Sequence, residues 1–105
     1  MEVLEKRLYY LELLHLYGDL LSDTQKSVLS DYLEYDLSIS EIAINREISR
    51  AAVEDALKKA MAKLDKFEEN MKLFSKKEKI SRNIGILKEK YGESDEIKEI
   101  EEALL

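Results

Sequence analysis

No proline occurs in the 105 residues, and only three glycines do, Gly18, Gly85 and Gly92. These are the residue types that most effectively interrupt a helix, so a chain this poor in them has few places to stop one. Apolar residues recur at steps of three and four, the spacing that gathers side chains on one face of an α-helix. The expected fold class is all-α. A chain of 105 residues, 45% of them hydrophobic, can bury one core but not two, so a single domain over 1–105 is expected.

The first stripe is Leu4, Leu8, Leu11 and the Leu14, Leu16, Tyr17 group, placing a helix over about Glu2 to Tyr17 that ends at Gly18, a residue suited to a left-handed terminus. Ser22 with Gln25 three residues on is a capping box, in which the hydroxyl accepts a free backbone N–H and the amide reaches back. It opens a second helix burying Val28, Leu29, Tyr32 and Leu33. Ser38 with Glu41 repeats the pattern before a short helix that turns Ile39, Ile42 and Ala43 inward. Ser49 caps a long one. Val53, Leu57, Ala60, Met61, Leu64, Phe67, Met71 and Phe74 then step continuously, predicting one helix from Arg50 to Phe74, more than about six turns. Ile80, Ile84, Leu87 and Tyr91 form the next stripe, closed by Gly92, and Ser94 caps a last helix carrying Ile97, Ile100 and Leu104. The expected division is a subdomain over 1–62 and a helical extension over 63–105.

Composition narrows the chemistry. With no cysteine there is neither thiol nor disulfide, and a single histidine, His15, cannot supply an imidazole cluster for a transition metal. No glycine-rich loop can cradle a phosphate, and the acidic pairs Glu68/Glu69 and Glu101/Glu102 read as exposed helix surface. Neither an enzyme, a metal nor a cofactor is expected. The N-terminal residues lack the unbroken apolar core of a signal peptide or membrane span, so a soluble, cytoplasmic protein without membrane insertion is expected.

The formal net charge of −6 conceals a pattern. Residues 1–57 sum to −7, residues 58–90 to +6 and residues 91–105 to −5. A phosphate-bearing partner would favour the middle block, whose candidate contacts are Lys59, Lys63, Lys66, Lys76, Lys77, Lys79 and Arg82.

Residues 38–60 carry the most specific signal. A capped short helix containing Glu41-Ile42-Ala43, a tight turn and a second capped helix make a helix-turn-helix. Ala43 is small because the helices cross closely there, with Ile42, Ile48, Val53 and Leu57 filling the angle between them. The second helix presents Ser49, Arg50, Ala51, Glu54, Asp55 and Lys58 outward, and Ser49, Arg50, Ala51, Glu54 and Lys58 are the candidate nucleic-acid contacts. Two features weigh against duplex reading. Glu47 stands where such turns usually place glycine, which adds about 1 kcal/mol of strain if the turn is kept. Glu54 and Asp55 bring carboxylates toward phosphates, and acid contacts to base edges are a minor part of the recognition code.

Leu20-Leu21-Ser22-Asp23-Thr24-Gln25, Asp31-Tyr32, Ser38-Ile39-Ser40-Glu41-Ile42-Ala43, Ser49-Arg50-Ala51-Ala52-Val53 and Leu64-Asp65-Lys66-Phe67-Glu68 together resemble the YlxM family of small bacterial proteins. That family in turn resembles region 4 of sigma factors. The likeness spans about residues 4–78. It implies a cytoplasmic accessory or regulatory factor of the signal recognition particle pathway, acting with the particle's GTPase, its RNA and the receptor GTPase. The family's helix-turn-helix also carries a DNA-binding label, so a transcription regulator is the alternative. Arg46, Glu47 and Glu54 depart from the family pattern, the last standing where an aromatic residue is common.

The basic flank of the long helix, Lys58 through Lys79, suits the phosphate backbone of a structured RNA, which is recognised by shape and charge. Simple solvation is the competing reading, with local pairs such as Asp55 and Lys59. The acidic last helix has three open uses: folding back on the positive block, docking on a basic partner, or pairing with a second copy as a homodimer. Folding back is preferred.

Overall fold

The computed structural model describes residues 3–104. Among them are six helices, one 3-10 turn and no strand: α1 (Val3–Tyr17), the turn Gly18–Leu20, α2 (Asp23–Leu33), α3 (Ile39–Arg46), α4 (Arg50–Met71), α5 (Leu73–Tyr91) and α6 (Asp95–Ala103). Glu2, placed at the first helix start by the sequence, lies outside the described residues. The chain divides into two compact units, Met1–Met71 and Lys72–Leu105.

In the first unit, local signals fold as their chemistry dictates. Both capping boxes form: Ser22 Oγ accepts Gln25 N–H and Ser38 Oγ accepts Glu41 N–H, while each glutamine or glutamate side chain accepts from its cap's own N–H. Ser49 Oγ accepts Ala52 N–H at 3.0 Å and starts α4. The apolar stripe Val53, Leu57, Ala60 and Leu64 is buried and meets all three preceding helices. Against it lie Leu13, Leu14 and Tyr17 of α1, Val28, Leu29 and Leu33 of α2, and Ile42 and Ala43 of α3.

Along α1 the packed face keeps Leu14 and Tyr17 of the expected stripe but not its first two leucines. Leu4 and Leu8 are 65% and 53% exposed, and Arg7 and Tyr10 lie half-buried in the inward register with Leu14 and Tyr17. The reason is that each of these polar residues has a body to bury and a polar end with a partner. Arg7 Nη2 donates to Tyr32 O at 2.8 Å and Asp36 Oδ1 at 3.0 Å, Tyr10 Oη donates to Asp65 Oδ2 at 3.0 Å, and Tyr17 Oη donates to Glu68 Oε1 at 2.7 Å. Glu68 is accordingly half-buried, not part of a bare acidic surface. Gly18 also differs from expectation. It opens the 3-10 turn without a left-handed backbone, and a Cβ there would sit 3.2 Å from Leu14 Cδ1, so close approach is what it provides.

The turn after α3 keeps its usual geometry with an unusual residue. Glu47 is left-handed at φ 55° and ψ 44°, its N–H donates to Ile44 O, and Ile48 N–H reaches back to Ala43 O at 3.1 Å. That is the Schellman closure of a helix C-terminus. Ile48, expected to fill the angle between the helices, is instead 42% exposed, because the reversal that closes the turn carries it out past α3. Arg46 bridges back to α2: Nη2 donates to Asp31 Oδ2 at 2.7 Å and to Ser27 Oγ at 2.5 Å.

The long helix is shorter than its stripe suggests. It stops at Met71, Lys72 turns left-handed at φ 56°, and Phe74 lies in the first turn of the next helix instead of ending this one. Tyr17 holds Phe67 and Glu68, but every residue from Glu69 to Leu73 is exposed, so no packing rewards keeping the register there.

In the second unit, α6 folds back on α5. Ile84 and Ile97 are buried, Ser94 Oγ caps α6 by accepting Ile97 N–H at 3.2 Å, and Lys88 Nζ pairs with Glu101 at 3.2 Å and Glu93 at 3.6 Å. Gly92 sits at φ 80°, the left-handed region that closes α5 without strain. Ile80, Leu87, Tyr91 and Ile100 remain partly or largely exposed.

Because Glu47 pays a left-handed penalty that glycine does not, Glu47→Gly should raise stability by about 0.5–1 kcal/mol. The check is urea unfolding, with a higher midpoint at unchanged slope.

Candidate nucleic-acid interface

The helix-turn-helix places α4's N-terminal turns at the surface. Arg50, Ala51, Glu54, Asp55 and Lys58 are all exposed, as the sequence required, and Ser49 is exposed with its hydroxyl engaged in capping. Arg50 and Lys58 have no ion-pair partner among the described residues. Lys59 is paired with Asp55 at 2.9 Å, the local pair anticipated from their i,i+4 spacing. The first three turns therefore show a mixed face in which two acids partly offset three cations. In front of it, Ala43, Ile44 and Ile48 floor a shallow apolar depression rimmed by Ser40, Glu47 and Arg50, with Ile44 75% exposed.

Further along α4, Lys63 Nζ donates to Gln25 Oε1 at 3.0 Å, tying the helix to the start of α2. Lys66 is exposed and has no ion pair among the described residues. The expected unbroken basic flank ends here, since Lys72 interrupts the helix. On α5, Lys76, Lys79 and Arg82 step by three residues, a rise of roughly 9 Å from first to last. All three are exposed, without an acidic partner among the described residues. Lys77 faces elsewhere: it is half-buried and lines a cavity of about 280 Å³ with Ile84, Lys88, Glu101 and Leu104. The predicted lysines thus fall into two groups, one on each unit.

Sequence reasoning missed two constellations in the first unit. Arg46, noted in the sequence only as a departure from the family pattern, forms the Asp31 and Ser27 bridge that ties α3 to α2. Arg7 lies over the Tyr32 ring, its guanidinium carbon 4.5 Å from the centroid, beside the Tyr10–Asp65 hydrogen bond. Both join residues fifteen or more positions apart, and no short-range pattern could have paired them.

Protonation is shifted where these contacts form. Burial, followed by the hydrogen bond to Asp65, pushes the Tyr10 hydroxyl up to about 12. The Ser38 N–H holds Glu41 below the ordinary carboxylate range, and Glu101 raises Lys88. His15 is exposed, and among the described residues no cluster of His, Asp and Glu could hold a metal ion. No helix among the described residues is long and apolar enough to cross a membrane.

The fold and this surface define an all-helical helix-turn-helix protein. A family profile described as "Putative helix-turn-helix protein, YlxM / p13 like" matches residues 4–103, and the chain belongs to that family, UPF0122. Among its relatives, the UPF0122 protein of Fusobacterium nucleatum is 37% identical over 97% of this chain and 99% of its own length. Its counterpart in Geobacillus sp. is 39% identical over 95% of this chain and 98% of its own, and that of Bacillus cereus 35% identical over 97% and 96%. No solved structure matches the chain.

Because the Tyr10 hydroxyl titrates higher folded than unfolded, its contribution to stability is complete below pH 10 and is lost as pH rises through about 12. Stability should therefore fall across that interval, and Tyr10→Phe should flatten the fall. Urea midpoints taken at stepped alkaline pH read the difference.

Proposed function

We propose that the protein is a non-enzymatic accessory factor of the signal recognition particle pathway that binds the particle's RNA, its GTPase, or both. The observation that carries the reading is the band of unpaired cations on α5, Lys76, Lys79 and Arg82, with Lys58 and Lys66 as further unpaired cations on α4. Such cations release condensed counterions from a phosphate backbone, and structured RNA is gripped by charge and shape without groove reading. Family membership supports the same direction, and of the residues that carry the resemblance Leu21, Ile42, Ala43, Val53 and Leu64 lie in the core. Nothing in the chemistry of the site calls for a cofactor.

The test has two arms. Tagged full chain passed over lysate at low and moderate salt should retain the particle's RNA or its GTPase; loss of both from the bound fraction overturns the reading. In solution, the triple charge reversal Lys76→Glu, Lys79→Glu, Arg82→Glu should weaken binding to a hairpin RNA by at least roughly tenfold. It should also reduce the slope of log affinity against log salt by about one per contact removed.

A second reading, sequence-specific DNA binding, draws on the exposed start of α4 behind a Schellman turn of ordinary geometry. Glu54 and Asp55 on that face oppose it. It requires a specific site to outcompete random duplex by at least about a thousandfold, and selection from a randomised duplex pool should return no consensus sequence.

A further inference from the structure

The first unit contains a cleft of about 310 Å³ that none of the helix-turn-helix contacts uses. Its lining is Val3, Lys6, Arg7 and Tyr10 of α1, Tyr32 of α2 and Met61 of α4. Two tyrosine rings stand beside two cations over an apolar floor. The polar ends are already organised. Arg7 is fixed by Tyr32 O, by Asp36 Oδ1 and by its position over the Tyr32 ring, all through Nη2 and the guanidinium face. Its Nε and Nη1 have no acceptor among the described residues. Lys6 is exposed and has no carboxylate partner among them. Asp36 is engaged with Arg7, and Asp65 with the Tyr10 hydroxyl. Among the described residues no acid lines the cleft itself.

We propose that this cleft takes one unstacked nucleotide of a bound RNA strand, its base against the tyrosine rings and its phosphate on Lys6 and the remaining N–H groups of Arg7. The proposal rests on the RNA reading above and deepens it by adding a site for an unpaired base. The chemistry selects this occupant. A free phosphate or an acidic side chain would use the cations but leave the aromatic and apolar walls bare, whereas every base has a face to stack on tyrosine. The volume sits at the lower end of the roughly 300–1,000 Å³ typical of ligand pockets, which suits one planar group.

The chain contains six tyrosines and no tryptophan, so tyrosine emission is read without tryptophan background, and the part of a quench that Tyr10→Leu removes belongs to the cleft. The probes are a hairpin RNA with an unpaired adenosine loop, a blunt RNA duplex of the same stem, and polyglutamate. The hairpin should quench tyrosine emission and the duplex should not. Lys6→Glu and, separately, Tyr10→Leu should each weaken hairpin binding by roughly tenfold while changing duplex binding by less than about twofold. Lys6→Glu decides the matter if circular dichroism shows Tyr10→Leu to be unfolded, because the Lys6 side chain is exposed and anchors no described residue. Hairpin binding that survives Lys6→Glu, or that falls equally for the duplex, overturns the cleft assignment while leaving the RNA reading intact. Polyglutamate that displaces the hairpin from the wild-type chain, and is itself lost with Lys6→Glu but not Tyr10→Leu, makes the cleft an acidic-peptide site. A wild-type chain that binds neither RNA overturns both readings.

Discussion

The fold of the first unit depends on one stripe of α4. Val53, Leu57, Ala60 and Leu64 are the surface that α1, α2 and α3 share, and three of the four are completely buried. Each large aliphatic side chain so buried contributes about 1.5–3 kcal/mol, while Ala60 contributes room for the crossing helices. Because one helix serves three partners with its inner face, its outer face is left for charge. The same geometry therefore produces both the core and the exposed row of Arg50, Glu54, Lys58 and their neighbours.

Two non-glycine residues are held left-handed at the ends of this arrangement, with different support. Glu47 is held by the Schellman hydrogen bonds of the α3 terminus and by the packing of Ile42 and Ala43 just before it. Tertiary contacts outweigh a local cost of about 1 kcal/mol there. Lys72 lies where α4's packing has ended, in a run of exposed residues, and the helix breaks although no proline or glycine breaks it. Helices in proteins persist chiefly by packing their apolar face, and the residues from Glu69 to Lys72 are all exposed.

Charge follows a comparable division. On α4 the cations are mixed with Glu54, Asp55 and Asp65, and two of them, Lys59 and Lys63, are engaged with groups of the same chain. On α5 the band Lys76, Lys79, Arg82 has no such engagement among the described residues. Backbone contacts position a protein on nucleic acid without reading sequence, which is the kind of contact such a band can make. The mixed face of the helix-turn-helix is poorly suited to phosphate approach, and the arrangement favours recognition by charge and shape over base reading.

Local chemistry made much of this legible without coordinates. The four serine caps, the helix-turn-helix spacing, the left-handed Glu47, the Gly92 terminus and the outward face of Arg50 to Lys58 all depend on residues within a turn or two of one another, where hydrogen-bond geometry and helical period decide. The tertiary structure alone decided which face of α1 is inward, that Ile48 faces solvent, and that the long stripe breaks at Lys72. It also made the bridges Arg46–Asp31, Arg7–Tyr32 and Tyr10–Asp65, and with them the tyrosine-lined cleft. The periodicity of α1 counted Leu4 and Leu8 as inward, but in that half of the helix Arg7 and Tyr10 take the inward register because each finds both burial and a polar partner on another helix. Such partners lie far apart in the chain, and only the packing of the helices brings them within reach.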